Sequence, residues 1–313
     1  MSAVSAPSSV AAEPKAKKPR LSERSRAERK LGWMLVAPAV IVMIAVTVYP
    51  IINAFVLSLQ RADLRFPQNN QFIGFDNYGS VLGSSLWWAD VAHTLFITVI
   101  SVALELVIGM LVALAMHRVI FARGAVRAIA LIPYGIVTVV AAYAWRYAFE
   151  LDSGWVPKLL GLSSDPLASQ GGSYIGVILA EVWKTTPFMA LLLLGGLSLV
   201  PDELHEAARV DGASTWQRFW RITIPLMKPA ILVALLFRTL DAFRIYDTVV
   251  IFNNGAHNTE TLSVLASNQL LNRLNLGLGS TVSVLLFVMV GIIAFIFIKV
   301  FGAAAAPGGG DGR

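Results

Sequence analysis

The sequence predicts an all-α membrane protein with six transmembrane helices. Its 313 residues are 56% hydrophobic and only 14% charged, whereas soluble domains contain about 25% charged residues. The mean hydropathy is +0.68. The apolar residues fall in blocks of about 20 or more positions, which is the length that an α-helix needs to cross a hydrocarbon core of about 30 Å.

Six apolar segments are long enough to span a bilayer. The first contains no charged residue and is longer than the apolar region of about 7–15 residues in a signal peptide. The second contains Glu105. The fourth contains Glu181 and Lys184, which we expect to form an ion pair, with Pro187 breaking the helix beyond them. The predicted spans are 33–59, 91–116, 128–149, 174–200, 229–252 and 278–298.

The distribution of Lys and Arg predicts the orientation of these spans. An even number of spans leaves both chain ends on one side, and that side contains 17 Lys and Arg, against 4 on the other. Because positively charged loops stay in the cytoplasm, both ends are predicted to be cytoplasmic. The predicted organisation is a disordered basic tail, a six-helix domain with its core at about 91–300, and a flexible tail, covering 1–30, 31–302 and 303–313 respectively.

The residue inventory argues against an enzyme. The chain contains no cysteine, and its four histidines lack the spacing of metal ligands. The P-loop pattern G-x-x-x-x-G-K-[ST] is absent, and no carboxylate pair or nucleophile has a catalytic spacing. We therefore predict that this chain has no catalytic site and binds no metal or cofactor. Its excess of positive charge is concentrated in the first thirty residues and does not indicate nucleic-acid binding.

A polar segment, 201–228, interrupts the apolar chain between the fourth and fifth spans and is predicted to be cytoplasmic. A proline followed by two acidic residues favours a helix start near its beginning, and Gly212 favours the end of that helix. Ser214 and Gln217 have the spacing of a capping box, which predicts a second helix. Pro225 is predicted to end this second helix.

The second helix has one face with three aromatic residues, Trp216, Phe219 and Trp220, followed by Thr223, and a basic face with Arg218 and Arg221. Such a helix can lie along the membrane interface. A DNA-binding helix-turn-helix is a weaker interpretation, because no third helix is available to form its core. A merely solvated loop is also disfavoured, because it would not need three aromatic residues on one face.

The polar segment contains Glu206-Ala207-Ala208, then Gly212, then the run from Ile222 to Pro225. This arrangement resembles the EAA loop of ABC importer permeases, whose pattern is E-A-A, three residues, G, nine residues and I-x-L-P. The one departure is an isoleucine for the leucine. Other stretches resemble the maltose-type and glycerol-phosphate-type sugar permeases over about residues 30–300, among them FIGFDNY at 72–78 and RTLDAFRIYDTVVIFNNG at 238–255.

This resemblance implies the type I ABC importer permease fold, in a bacterial inner membrane. It implies three kinds of partner: a second homologous permease, an ABC ATPase dimer that binds ATP and Mg²⁺, and an extracytoplasmic sugar-binding protein or lipoprotein. The implied cargo is a sugar, and more narrowly a disaccharide such as trehalose. Transport would proceed by alternating access.

The resemblance also implies that the EAA helices dock in a cleft of the ATPase and transmit its closure to the spans. Glu206 would pair with a basic residue of the ATPase, and Gly212 would permit the bend. The residues assigned to this coupling are Glu206, Ala207, Ala208, Asp211, Gly212, Ile222 and Pro225.

The fifth span contains four charges at intervals of three, from Arg238 to Asp247, and such charges within a membrane usually face a bundle interior or water. One interpretation is an ion-pair ladder along the helix, which also contacts the second permease. The other is a polar sugar pathway, which the resemblance supports. The residues assigned to that pathway are Asp241, Phe243, Arg244, Tyr246, Asp247, Asn253 and Asn254.

Two functions remain at this point. The first is a permease subunit that depends on a separate ATPase. The alternative is a secondary transporter or channel that acts alone and uses the charges of the fifth span as a proton relay. Such transporters often contain inverted repeats, none is evident in this sequence, and the EAA-like segment would have no role in them.

Overall fold

The structure is a computed structural model that describes residues 23–119 and 122–305. The chain separates into two units, Met1–Asn53 and Ala54–Arg313. The first unit contains most of the first helix. The second contains the remaining elements and every site described below.

The α-helices of the described ranges are α1 (Glu23–Ser58), α2 (Asp76–Leu82), α3 (Ser85–Arg118), α4 (Arg123–Ala130), α5 (Ile132–Gly135), α6 (Thr138–Phe149), α7 (Trp155–Leu160), α8 (Gln170–Leu197), α9 (Asp202–Val210), α10 (Thr215–Arg218), α11 (Ile224–Ala242), α12 (Asp247–Asn253), α13 (Leu262–Ser267) and α14 (Leu276–Ala305). They are joined by short 3₁₀ turns at Pro67–Asn69 and Pro166–Ala168 and by π-helical segments at Phe219–Thr223 and Asn268–Asn272. The two short strands are β1 (Gln60–Arg61) and β2 (Gln71–Phe72).

Helix extends into both predicted tails. α1 begins at Glu23, because ERSRAERK consists mostly of good helix formers, and α14 continues to Ala305. The rest of the two tails, 1–22 and 306–313, lies outside the described residues.

Within the described ranges, five helical stretches are long and apolar enough to cross a membrane, which confirms an all-α polytopic protein. These stretches are Lys30–Ser58, Ser85–Arg118, Gln170–Leu197, Thr215–Ala242 and Leu276–Lys299. They correspond to the first, second, fourth, fifth and sixth predicted spans.

The third predicted span, 128–149, is not one continuous helix. It is divided among the end of α4, α5 and α6. Pro133 lies at the start of α5 and has no N–H group to continue the helix. Ile136 and Val137 then have ψ angles of 136° and 133°, which are extended rather than helical. The sequence predicts one continuous helix here, and the break at its centre contradicts that prediction.

The fifth span starts and ends earlier than predicted. The helix runs from Thr215 through Pro225 to Ala242 instead of covering 229–252. The π-helical segment that precedes Pro225 widens the turn against which the proline ring would otherwise press, so the helix continues. The prediction that Pro225 ends a helix is therefore wrong. α8 likewise continues through Pro187, which was expected to break it.

The core forms where α3, α8 and α11 pack together. A Cβ atom added to Gly109 of α3 would lie 2.8 Å from Met189 Cγ of α8. One added to Gly196 of α8 would lie 2.4 Å from the Cβ of Ala230 in α11. Small residues permit such close approach between membrane helices, where dispersion contacts hold the helices together. The apolar cluster around these contacts includes Met110, Ala113, Leu193, Leu197 and Met227.

The loop that follows α1 folds into a small compact unit. β1 and β2 pair in antiparallel orientation, and Asn77 Nδ2 donates hydrogen bonds to the carbonyl oxygens of Ser58 and Gln60 at 2.9 and 2.8 Å. Arg65 Nη2 lies 2.5 Å from Asp63 Oδ2. Hydrogen bonds from Arg65 lower the pKa of Asp63 to about 2, so this carboxylate remains ionised at neutral pH.

Candidate functional site

The polar segment 201–228 forms two helices joined at Gly212, as predicted. α9 ends in a Schellman motif, in which the N–H of Ala213 donates to the carbonyl of Ala208 at 2.8 Å and the N–H of Gly212 donates to that of Arg209 at 3.1 Å. Gly212 has φ of +78°, in the left-handed region that is strained for residues with a Cβ atom. The sharp turn between the helices therefore depends on a glycine at this position.

The second helix begins with the predicted capping box. Ser214 Oγ accepts from the N–H of Gln217 at 3.3 Å, and Gln217 Oε1 accepts from the N–H of Ser214 at 2.8 Å. The predicted aromatic face is also present, since the ring centroids of Trp216, Phe219 and Trp220 lie 5.3–5.9 Å apart. Local sequence signals were sufficient to predict this half of the segment.

The residues assigned to coupling lie largely on an accessible surface of this segment. Five are exposed and two are half-buried, the exposed ones being Glu206, Ala207, Asp211, Gly212 and Pro225, and the half-buried ones Ala208 and Ile222. The Glu206 carboxylate forms no hydrogen bond or ion pair with the described residues. This carboxylate is therefore available to a partner, and the adjacent alanines leave room for close approach.

A buried ion network lies where α3, α8 and α11 meet. Arg238 donates from Nε to Glu105 Oε2 at 2.5 Å and from Nη2 to Glu105 Oε1 at 2.7 Å. Its Nη1 group donates to Asp241. Glu181 Oε2 lies 4.0 Å from Arg238 Nη2, and Glu181 Oε1 accepts from Thr248 at 2.5 Å. The network links four helices through one arginine that is 1% exposed.

Two predicted pairings differ from this network. The four charges of the fifth span do not share one helical face, because α11 ends at Ala242 and α12 begins only at Asp247. Of the predicted ladder, the structure forms the first pair, between Arg238 and Asp241. Lys184 does not pair with Glu181, since its Nζ atom lies over the Tyr134 ring, 5.4 Å from the centroid. The prediction of a Glu181–Lys184 ion pair is wrong.

Glu105 is the functional candidate that sequence reasoning left without a role. It is fully buried in α3, and its partner lies 133 positions further along the chain. A signal was present, because a lone carboxylate in an apolar span needs a partner and the arginine of another span can supply it. Spacing along the sequence could not select which arginine.

The residues assigned to a sugar pathway have different environments. Phe243 is fully buried, whereas the Asp241 side chain is 66% exposed. Tyr246 is 36% exposed, and its hydroxyl lies 2.9 Å from Ser267 Oγ. Arg244 is exposed and Asp247 half-buried at the start of α12.

The two asparagines assigned to the pathway lie at the other end of α12. Asn253 Nδ2 lies 2.9 Å from Ser173 Oγ and 3.1 Å from Thr259 Oγ1. Asn254 caps the helix in a left-handed conformation, with φ of +53°. The structure therefore gives both asparagines local structural contacts and separates them from the exposed Asp241 and Tyr246.

Comparison with known proteins defines the class. Residues 105–305 match the family described as the inner membrane component of binding-protein-dependent transport systems. That region includes the polar segment 201–228 and the ion network. The chain belongs to this family, and it is therefore a permease component of an ABC importer.

Individual relatives cover nearly the whole chain. It is 54% identical over 287 residues to the trehalose transport system permease protein SugA of Mycobacterium tuberculosis, covering 92% of this chain and 94% of that one. It is 37% identical over 279 residues to the trehalose/maltose transport system permease protein MalF of Thermococcus litoralis, covering 87% and 94%.

The fold resembles that of solved importers. A bacterial ABC transporter involved in the import of the acidic polysaccharide alginate superposes with a TM-score of 0.76 at 22% identity, covering 90% of this chain and all of that one. A second structure, of the alginate transporter with a periplasmic protein bound to an alginate pentasaccharide, has a TM-score of 0.74 at 23% identity, covering 89% and 97%. These likenesses establish the permease fold.

Proposed function

We propose that this chain is one of two permease subunits of an ATP-driven sugar importer, and that its cargo is trehalose or a closely similar disaccharide. The observation that carries the cargo assignment is the 54% identity, over 92% of the chain, to a permease named for trehalose transport. The relative named for trehalose and maltose supports the same class of sugar.

The proposed complex contains this chain, a second homologous permease, an ATPase dimer and an extracytoplasmic sugar-binding protein. ATP and Mg²⁺ belong to the ATPase, because this sequence has no P-loop, and the chain itself holds no cofactor. The domain 31–302 crosses the membrane with both chain ends in the cytoplasm, as the Lys and Arg distribution favours.

Coupling in this proposal takes place at the exposed surface of α9 and the turn that follows it. The Glu206 carboxylate is exposed, pairs with none of the described residues and suits a basic residue of the ATPase. The rigid turn at Gly212 carries any displacement of α9 into α10, which continues without a break into α11. Movement of the ATPase thus reaches Arg238 and the buried network through one continuous helix.

The cargo pathway in this proposal passes the break between α11 and α12. Asp241 and Tyr246 expose a carboxylate and a phenol on the two sides of this break, and sugars are bound by such hydrogen-bonding groups and aromatic faces. Phe243 lies in the segment between α11 and α12 and is buried, and in this proposal its packing stabilises that segment.

Reconstituted uptake tests the proposal. The four components are assembled in proteoliposomes with ATP inside, the binding protein is added outside, and uptake of radiolabelled trehalose is measured against unlabelled maltose and sucrose as competitors. We expect uptake that requires both ATP hydrolysis and the binding protein. A strong preference for another sugar would contradict the cargo assignment and leave the importer assignment intact.

The alternative of a stand-alone transporter makes the opposite prediction. Uptake by this chain alone, driven by an ion gradient and unaffected by the absence of the ATPase, would contradict the importer assignment. Family membership argues against that outcome.

A further inference from the structure

A large groove lies between α3 and the helices of the polar segment. Its volume is about 1100 Å³, which exceeds the roughly 300–1,000 Å³ of most small-molecule pockets. One wall is formed by α3 and the start of α11, and the other by α9 and α10 with the π-helical segment after them.

The wall formed by the spans is apolar. It includes Leu106, Val107, Met110, Leu111, Leu114 and Ile231. Val107 and Leu111 are 60% and 62% exposed, so their side chains are open to whatever fills the groove. These positions belong to membrane-spanning helices, and an acyl chain is the apolar material that a bilayer supplies in excess.

The other end of the groove is cationic. Arg118 ends α3, Arg209 lies on α9, and Arg218 lies at the end of α10. The described lining contains one carboxylate, Asp202, against these three guanidinium groups, together with His117 and His205. The indole rings of Trp216 and Trp220 also line the groove, and amphipathic rings of this kind are enriched at membrane interfaces.

One hydrogen-bond donor at this cationic end, on Arg218, lacks an acceptor within the described ranges. Its Nε atom is buried and has no hydrogen-bond partner among the described residues, while its Nη2 atom donates to Thr215 Oγ1 at 3.2 Å. A buried guanidinium N–H without an acceptor is costly. An anionic oxygen in the groove would supply that acceptor.

We propose that this groove is a binding site for one anionic phospholipid, with its phosphate among the three arginines and an acyl chain on the apolar wall. The assignment rests on the proposed orientation, which puts the cationic end at the cytoplasmic surface. Basic pockets between helices on that side of a membrane are suited to anionic headgroups.

The site is separate from the coupling surface. None of the seven residues assigned to coupling lines the groove. α9 presents Asp202, His205 and Arg209 to the groove, at positions i, i+3 and i+7, while Glu206 and Ala207 are exposed. The lipid would thus lie behind the coupling helices and support them against α3 while the ATPase binds their other face.

Native mass spectrometry of the complete importer complex tests the site. The complex is titrated with phosphatidylglycerol or phosphatidylcholine, and the molecules retained per complex are counted. We expect phosphatidylglycerol to be retained preferentially. In the double variant Arg118→Gln/Arg218→Gln the affinity of the complex for phosphatidylglycerol should fall about 30-fold. This value multiplies a factor of about five to six for each of the two arginines near the membrane surface.

The matched control is Arg127→Gln/Arg221→Gln, which removes the same charge from two exposed arginines outside the groove. Its affinity for phosphatidylglycerol should stay within about twofold of the original, since those arginines lie outside the lining. The masses of the intact complexes show whether each variant has assembled. Equal retention of both lipids, or equal losses in the two double variants, would overturn the proposal.

Cross-linking identifies the occupant directly. A photoreactive amino acid in place of Leu111 should form an adduct with phosphatidylglycerol in nanodiscs that contain it. An adduct with the second permease instead would mean that a protein segment fills the groove, and would refute the lipid site. Because neither measurement uses sugar or ATP, a failure of the cargo assignment would leave these results unaffected.

Discussion

Arg238 and Glu105 form a bidentate ion pair in the interior of the helix bundle, at 2.5 and 2.7 Å, although 133 residues separate them in sequence. The pair joins α3 to α11 at the level where α8 contributes Glu181. Thr185 of α8 adds a contact at 2.7 Å from its hydroxyl to Glu105 Oε1. The helix that begins in the polar segment 201–228 is therefore fixed to the rest of the bundle at this point.

We expect Glu105→Gln to destabilise the permease strongly. Removing one partner of a buried pair costs about 3–5 kcal/mol, and here Arg238 would keep only Asp241 and the more distant Glu181 as counter-charges among the described residues. The measurement is the unfolding of the purified complex in a denaturant series. The double variant Glu105→Gln/Arg238→Gln should lose clearly less than the two single losses combined, because it removes this pair as a unit and leaves neither of its partners charged. Additive losses would show that the pair is not coupled.

Gly196→Val is expected to separate α8 from α11, because its Cβ atom would overlap with that of Ala230 at 2.4 Å. Overpacking of this kind costs about 1–3 kcal/mol, and assembly of the complex should fall. Gly195→Val is the control, since no described residue lies within 4 Å of its Cβ position. The two variants change helix propensity equally, so similar yields in membrane extracts would contradict the close packing.

Gly212→Asp should uncouple ATP hydrolysis from uptake while the protein remains in the membrane. The substitution adds a charged side chain to the exposed turn that follows α9. Gly212→Asn is the matched control, because asparagine has a similar shape, tolerates the left-handed region and carries no charge. Coupling is measured as sugar molecules imported per ATP hydrolysed. Normal coupling in Gly212→Asp would remove this turn from the mechanism.

Ser214→Ala should loosen the start of α10. Loss of an N-cap side chain costs about 0.5–2 kcal/mol, and here it also removes one half of the capping box. Amide hydrogen exchange across 214–218 should accelerate, with uptake reduced in parallel. Thr215→Ala, one position further on, leaves both bonds of the box intact and should not accelerate exchange at Gln217. Unchanged exchange in Ser214→Ala would show that tertiary contacts alone hold this helix.

Asp241→Asn distinguishes the two interpretations of the fifth span. Because the Asp241 side chain is 66% exposed, its ion pair with Arg238 should contribute only about 0–1 kcal/mol of stability. We therefore expect nearly normal unfolding together with a raised KM for the sugar. A large loss of stability with an unchanged KM would assign Asp241 to the structural network alone.

The sequence by itself determined the class, the membrane segments in outline and the local form of the polar segment 201–228. Hydropathy identifies spans because their apolar length is a property of contiguous residues. The turn at Gly212 and the capping box at Ser214 were also predictable, since each depends on a few neighbouring residues and on backbone hydrogen bonds that close within one turn.

The tertiary structure alone decided where helices break and which charges meet. Pro133 accompanies a break whereas Pro187 and Pro225 lie within continuous helix, because packing and a π-helical turn offset the lost hydrogen bond in the latter two. Arg238 pairs with Glu105 as well as with a residue of its own helix, because a buried guanidinium needs acceptors on every side. Only the packing of α3 against α11 brings the distant Glu105 carboxylate within reach.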